Sequence, residues 1–125
     1  MVYLSLEKLE AYKLAKELSG IAWKIYESLE WQIKKTLGDQ FIESTDSVGA
    51  NIAEGYGRFH YLDKVKFYYN ARGSLLESRH WLELMTERKL VGKGASLKYL
   101  KIYGDLRLIL NGLIKSAMIQ SKSNP

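Results

Sequence analysis

The chain has 125 residues, 46% of them hydrophobic, which suits a single domain with one core. It contains no cysteine, which excludes disulfide bonds and thiolate metal sites, and its one proline is the last residue, Pro125. The formal charge of +5 favours an anionic partner such as nucleic acid. Because no apolar signal core and no apolar run of about 20 residues is present, we expect a cytoplasmic protein without membrane contact.

The first predicted helix runs from about Ser5, its expected N-cap, to Glu30. Apolar residues recur in it at steps of three and four, which is typical of the buried stripe of an amphipathic helix. The stripe consists of Ala11, Leu14, Ala15, Leu18, Ile21, Ala22, Ile25 and Leu29. Tyr12 and Trp23 lie beside this stripe. They either pad the edge of the core or contact another subunit.

The second predicted helix runs from about Thr36 to Glu54, after a reversal whose position the sequence does not mark. Its apolar positions are Leu37, Phe41, Thr45, Val48 and Ile52. Small residues lie between them and would allow a neighbouring helix to approach closely. Asn51 is expected to make a buried polar contact, and the alternative is that it faces solvent.

Two glycines, Gly55 and Gly57, are expected to end the second helix. We predict that Gly55 takes the left-handed conformation of a helix C-cap, so that Gly55→Val is destabilising. A Gly-x-Gly pair can also form a phosphate-binding loop. Here it follows a helix and lacks both a third glycine and a Lys-Ser/Thr pair, so a nucleotide site is not predicted.

The third predicted helix runs from about Tyr61 to Lys89 and carries two apolar stripes. One contains Phe67, Ala71, Leu75, Ser78, Leu82 and Met85, and the other contains Leu62, Val65, Tyr69 and Leu76. A helix that is apolar on two sides must be covered on two sides, and a monomeric four-helix bundle covers only one. We therefore predict a homo-oligomer. Its interface residues would be Tyr12, Trp23, Leu62, Tyr69 and Leu76.

The fourth predicted helix runs from about Leu97 to Gln120, after a loop that contains Gly92 and Gly94 and with Ser96 as its cap. The four helices, at about 5–30, 36–54, 61–89 and 97–120, are joined by short loops. This pattern predicts an all-α, antiparallel up-down-up-down four-helix bundle that forms one domain over residues 1–125.

The chain offers little for catalysis. Its two histidines, His60 and His80, have no metal-ligand spacing, and the paired Glu-x-x-His motifs of a di-metal bundle are absent. Glu43, Asp46 and Glu54 have no matching acidic cluster on another helix. We therefore predict no enzyme activity, no catalytic residue, no metal site and no cofactor.

Basic residues gather from the glycine turn through the third helix. They are Arg58, Lys64, Lys66, Arg72 and Arg79, which we predict as phosphate contacts, and Lys93, Lys98 and Lys101 follow around the last loop. Aromatic residues such as Tyr56 and Phe59 lie among them near the turn. Lysine and arginine side chains could neutralise phosphates while aromatic rings stack on bases. The alternative is a solvated basic face with the aromatic rings packed inward.

Several segments of the sequence resemble a known family. The segments are Leu9-Glu10-Ala11-Tyr12, Gln40, Asn51-Ile52-Ala53-Glu54-Gly55-Tyr56-Gly57-Arg58, Ala71-Arg72-Gly73-Ser74-Leu75-Leu76-Glu77 and Leu110-Asn111-Gly112-Leu113-Ile114-Lys115-Ser116. They are similar to those of the four-helix bundle proteins encoded in intervening sequences of bacterial 23S ribosomal RNA genes. The accessory variability proteins of diversity-generating retroelements are related to that family.

The resemblance implies a homopentamer of four-helix bundles with a basic surface for nucleic acid. For the retroelement branch it also implies a reverse transcriptase as a partner. The Asn51, Glu54, Gly55 and Gly57 block is the structural motif that marks the family. One departure is that many members carry two arginines after the glutamine, where this chain has Ile42 and Glu43.

Two functions follow as hypotheses. The first is a non-enzymatic, oligomeric bundle that binds RNA or DNA through its basic surface. The second is an oligomeric scaffold that docks a protein partner and has no nucleic-acid role. A small-molecule or metal site inside the bundle is a third and weaker interpretation.

Overall fold

The computed structural model describes residues 4–123, and all the regular structure among them is helical. A 3-10 turn, Leu6–Lys8, precedes helix α1, Glu10–Glu27. Helix α2 consists of three consecutive segments, Trp31–Ile33, Lys34–Gly38 and Asp39–Tyr56. Helix α3 is Tyr61–Glu87 and helix α4 is Lys93–Ser123. The predicted all-α class and the four helices are confirmed. Residues 1–3 and 124–125 of the predicted domain lie outside the described part.

Each helix packs against the next, and α4 packs against α1, which closes a four-helix bundle. Since only residues 28–30, 57–60 and 88–92 connect the helices, consecutive helices run antiparallel. The buried residues of the four helices form one core. Its largest fully buried side chains are Tyr68, Tyr99, Phe41, Leu18, Ile52 and Leu75.

The third helix departs from the predicted division into two stripes. Val65, assigned to the outer stripe, is buried, and so is Tyr68, which belonged to neither stripe. Phe67 is only half-buried, and the Arg58 guanidinium lies over its ring at 4.6 Å from the centroid. Leu62, Tyr69 and Leu76 are exposed, so α3 does present an apolar row to solvent.

Helix α2 begins five residues before the predicted start, because nothing between residues 30 and 36 breaks a helix. Its segment Lys34–Gly38 is π-helical, a form that accommodates one extra residue in an α-helix. Gly38 is buried at this turn. A Cβ atom there would lie 3.0 Å from Leu29 Cδ1 and 3.2 Å from Tyr26 Cδ2. The absence of a side chain at Gly38 therefore lets the end of α1 pack against α2.

The prediction that Gly55 is a left-handed helix cap is wrong. No described glycine has a positive φ angle, and Gly55 is a buried residue inside α2. Glycine is favoured there by contact, since a Cβ atom would lie 2.8 Å from Tyr68 Cε1 and 3.0 Å from Phe67 Cβ. Gly57 is the C-cap, with φ of −78°.

The left-handed cap occurs instead at the end of α3. Lys89 has φ of 59°, and the Leu90 N–H donates to the Met85 carbonyl at 2.8 Å. This hydrogen bond, from the residue after the left-handed one back to the last helical turn, is that of a Schellman motif.

Two predicted N-caps are also wrong. Ser5 precedes the 3-10 turn and makes no side-chain capping bond, and Leu9 is the N-cap of α1. Ser96 is buried inside α4, where Thr86 Oγ1 donates to its hydroxyl at 3.3 Å. Asn51 is half-buried, and its Nδ2 donates to the Ser47 carbonyl of its own helix at 2.9 Å. It therefore makes a local bond and does not join two helices.

One buried hydrogen-bonded group does join three helices. The Tyr99 hydroxyl of α4 donates to Ser78 Oγ of α3 at 2.6 Å. Thr45 Oγ1 of α2 lies 2.9 Å from the same hydroxyl oxygen. Burial raises the pKa of Tyr99 to about 12. The hydroxyl groups satisfy one another, as groups without access to water must.

Candidate nucleic-acid interface

Arg58, at the α2–α3 turn, keeps part of its surface in solvent. Its guanidinium stacks on Phe67 and lies 3.3 Å from Glu54 Oε1, one helical turn earlier. Both partners of this ion pair are exposed, so it adds little to stability. An approaching phosphate could compete with Glu54 for the guanidinium.

Lys64 is positioned differently from the other predicted basic residues. Its ammonium donates to the Tyr56 carbonyl at 2.8 Å and to the Gly55 carbonyl at 3.4 Å. It thereby occupies carbonyls at the end of α2, which have no partner within the helix. Burial lowers the pKa of Lys64. This lysine caps α2, so we do not propose it as a phosphate contact.

Arg72 and Arg79 lie two turns apart on α3, at its seam with α4. Arg72 donates to Asn111 Oδ1 of α4 at 3.1 Å and lies over the Tyr69 ring. Arg79 donates to Glu83 Oε1 at 2.7 Å, and this hydrogen bond raises its pKa. Lys66 is exposed. The structure thus brings Arg72 and Arg79 to one seam and leaves Arg58 at the far turn.

The net charge of the whole molecule is concentrated on α4, a helix in which we predicted no phosphate contact. Within α3, four basic and four acidic residues cancel. Helix α4 holds six basic residues and one acidic residue, so its formal charge equals the +5 of the whole chain. The rest of the chain is therefore neutral. Counting charge helix by helix is the signal that would have identified α4.

The basic residues of α4 are all exposed. They are Lys93, Lys98, Lys101, Arg107, Lys115 and Lys122. At 100° per residue, Lys101, Lys115 and Lys122 fall within one narrow sector opposite the buried side of the helix. Lys93 lies at the edge of the same sector, roughly 20° from Lys122. We call Lys93, Lys101, Lys115 and Lys122 the lysine face. The one acid of α4, Asp105, accepts a hydrogen bond from Lys101 at 2.7 Å.

Exposed apolar side chains lie on both outer helices. On α3, Leu62, Tyr69 and Leu76 recur every seven residues and are 67%, 40% and 64% exposed. We call these three the apolar row. On α4, Leu97, Leu108 and Ile119 recur every eleven residues and are exposed between the lysines.

The other two predicted interface residues lie on a different part of the bundle. Tyr12 is half-buried and Trp23 is exposed, with Trp23 stacked on Tyr26 at 5.4 Å between ring centroids. Both belong to α1, which sits across the bundle from α3. The structure does not bring Tyr12 and Trp23 together with the apolar row.

Within residues 4–123, no group of three or more His, Asp or Glu side chains could hold a metal ion. His60 and His80 contact the neighbouring rings of Phe59 and Trp81. None of the helices described here is both long and apolar enough to span a membrane.

The sequence and the fold were compared with known proteins. The profile of the family described as 23S rRNA-intervening sequence protein matches residues 7–112. A solved structure from Bacteroides thetaiotaomicron, described as a protein of unknown function from the S23 ribosomal protein family, has the same fold. It is 18% identical, with a TM-score of 0.76, over 84% of this chain and 98% of the other. No protein of curated function matches the sequence.

Proposed function

Since this chain belongs to the family of 23S rRNA-intervening sequence proteins, we propose that it is a non-enzymatic helical bundle that binds RNA or DNA through α4. The observation that carries this proposal is the concentration of the entire net charge on that helix. Family membership confirms the resemblance to the 23S rRNA intervening-sequence proteins, and the relation to the retroelement accessory proteins stays an expectation. It does not itself assign an activity.

The lysine face suits an extended polyanion. The 31 residues of α4 span about 46 Å at 1.5 Å per residue. Lysines are distributed from its first residue to its last turn, so one nucleic-acid backbone could contact several of them at once. Each phosphate neutralised by a lysine releases condensed counterions, which makes the affinity depend on salt. Lys66, Arg72 and Arg79 on α3 and Arg58 at the α2–α3 turn would add further phosphate contacts.

The test is binding of labelled RNA and DNA by fluorescence anisotropy across a salt series. Four lysine–phosphate contacts predict a slope of log affinity against log salt of about −4 for duplex. Lys115→Gln should reduce the magnitude of the slope by about 1. Lys13→Gln, an exposed lysine on α1, is the matched control and should leave the slope unchanged. No binding at low salt, or binding without a salt slope, would contradict the proposal.

The proposed assembly is a homo-oligomer that buries the apolar row of α3, and the family resemblance suggests a pentamer. The exposure of the row supports it as an interface, because the free energy falls when a second copy covers large apolar side chains that would otherwise remain in water. Light scattering at micromolar concentration tests this assembly. A monomeric mass would contradict it.

An oligomeric scaffold that docks another protein is the second candidate, and the same apolar row favours it. A reverse transcriptase is the partner class that the resemblance suggests. Affinity capture with and without nuclease separates the two functions. A defined protein partner retained after nuclease treatment supports the scaffold, whereas loss of all bound material supports nucleic-acid binding.

A further inference from the structure

A cavity of about 280 Å³ opens at the end of the bundle where α1 stops and α4 starts. Ile21 and Ile25 of α1 form one wall, and Val91 and Ala95, from the α3–α4 loop and α4, form the other. Lys24 and Lys98 also line it, one from each helix. The cavity therefore combines an apolar interior with two cations.

The size of the cavity restricts what it can hold. Pockets for drug-sized ligands measure about 300–1,000 Å³, so this cavity of about 280 Å³ is slightly smaller than that range. It has room for one planar ring system, and a base pair exceeds it. Apolar walls favour a flat, weakly polar group that gains by leaving water. They offer no side-chain donor or acceptor beyond the two lysines and Ser28.

The cavity lies on the side of α4 that faces α1. At 100° per residue, Lys98 is roughly 100° around the helix from the centre of the lysine face, and it is exposed beside Ala95 in the first turns of α4. No acidic side chain is among the described residues that line the cavity. A strand that leaves the lysine face and crosses the first turns of α4 toward α1 would meet this cavity and its two lysines.

We propose that the cavity takes one unpaired nucleobase of a single-stranded nucleic acid, with the phosphates on either side of that base bound by Lys24 and Lys98. The inference rests on the proposed nucleic-acid function and adds a preference for unpaired over duplex nucleic acid. Because the Ser28 hydroxyl already donates to the Ile25 carbonyl and the two lysines bind phosphates, the apolar walls accept different bases.

The experiment compares three fluorescent 12-nucleotide probes at one low salt concentration: a single strand, its duplex, and a single strand with six central abasic nucleotides. The intact single strand should bind about tenfold more tightly than the abasic one, a difference of about 1.4 kcal/mol. Ala95→Leu fills the cavity and should remove this preference without changing duplex affinity. Ala50→Leu, an equivalent change at an exposed alanine of α2, is the matched control and should keep it.

The outcomes separate the inference from the proposed function. Equal binding of intact and abasic strands, with the salt slope retained, overturns the cavity site and leaves nucleic-acid binding by α4 intact. Absence of all binding at low salt overturns both. If Ala95→Leu instead changes the oligomeric mass by light scattering and leaves the preference for the intact strand, the cavity holds a side chain of a second copy and the inference is wrong.

Discussion

Gly55 lies in an ordinary helical turn of α2, whereas Lys89 has a positive φ angle at the end of α3. Gly55 is required because Tyr68 occupies the space of its missing side chain. A larger side chain at Gly55 should therefore destabilise the protein, whereas glycine at Lys89 should stabilise it.

Gly55→Ala should lower the free energy of unfolding. Overpacking against Tyr68 costs about 1–3 kcal/mol, against about 1 kcal/mol gained from the better helix propensity of alanine. Urea denaturation measures the difference. Gly73→Ala is the control, because a Cβ atom there has nothing within 4 Å and the protein should gain up to about 1 kcal/mol. Equal effects at the two glycines would contradict the packing explanation.

Lys89→Gly should raise the free energy of unfolding by about 1 kcal/mol, because an L-residue in the left-handed region is strained and glycine is not. Arg88→Gly is the matched control, since Arg88 has φ of −85°. It should bring no gain. A loss of stability in Lys89→Gly under the same urea denaturation would refute the strain argument.

At the scale of elements, the helices and most of their buried faces were predictable, and the start of α3 at Tyr61 was predicted correctly, whereas the start of α2 was not. Most of the stripe residues predicted for the first two helices are buried, while Leu14, Ile21 and Leu37 are half-buried. The start of α2 was missed because a π-helical turn has no simple sequence signal. The hydrogen bonds to the last carbonyls of α2 were not predictable, because their donor, Lys64, lies eight residues beyond Tyr56 on the next helix.

The buried hydroxyl group that links α2, α3 and α4 makes the bundle sensitive to alkali. Tyr99 keeps its proton to a pKa of about 12 when folded, whereas an unfolded tyrosine loses it near pH 10. Its contribution to stability is complete below pH 10 and is lost as the pH rises from 10 to 12.

The resulting fall in the free energy of unfolding is about 2 kcal/mol for this one residue. Urea denaturation at pH 8, 10 and 12 measures it. Tyr99→Phe should be less stable at pH 8 by about 1 kcal/mol and should show a smaller fall on going to pH 12. An identical alkaline fall in the two proteins would show that Tyr99 is not the group that titrates.

At the scale of the whole molecule, the sequence predicts the bundle and the family more fully than the binding surface. We predicted phosphate contacts near the glycine turn because basic and aromatic residues lie close together there in the sequence. The structure shows Lys64 used as a cap and α3 neutral overall. Clustering in sequence does not measure charge in space, since acidic residues at intervening positions of one helix cancel it.

Leu76→Glu tests the proposed assembly. Leu76 is exposed in a single chain, so the substitution should change the stability of a monomer by less than about 0.5 kcal/mol. In an oligomer that buries the apolar row, it would place a carboxylate in a dry interface and should lower the mass measured by light scattering. Leu97→Glu, at a similarly exposed leucine of α4, is the control and should leave the mass unchanged.

The placement of every excess charge on α4 gives a single chain an electric dipole that points across the bundle, toward the lysine face and away from the rest of the chain, which has no net charge. A polyanion that approaches from any direction exerts a torque on this dipole before contact and turns α4 toward itself. Orientation of this kind acts on the rate of encounter more than on the lifetime of the complex. Moving one lysine from α4 to α1 would therefore slow association at low salt while the net charge of the protein stayed the same.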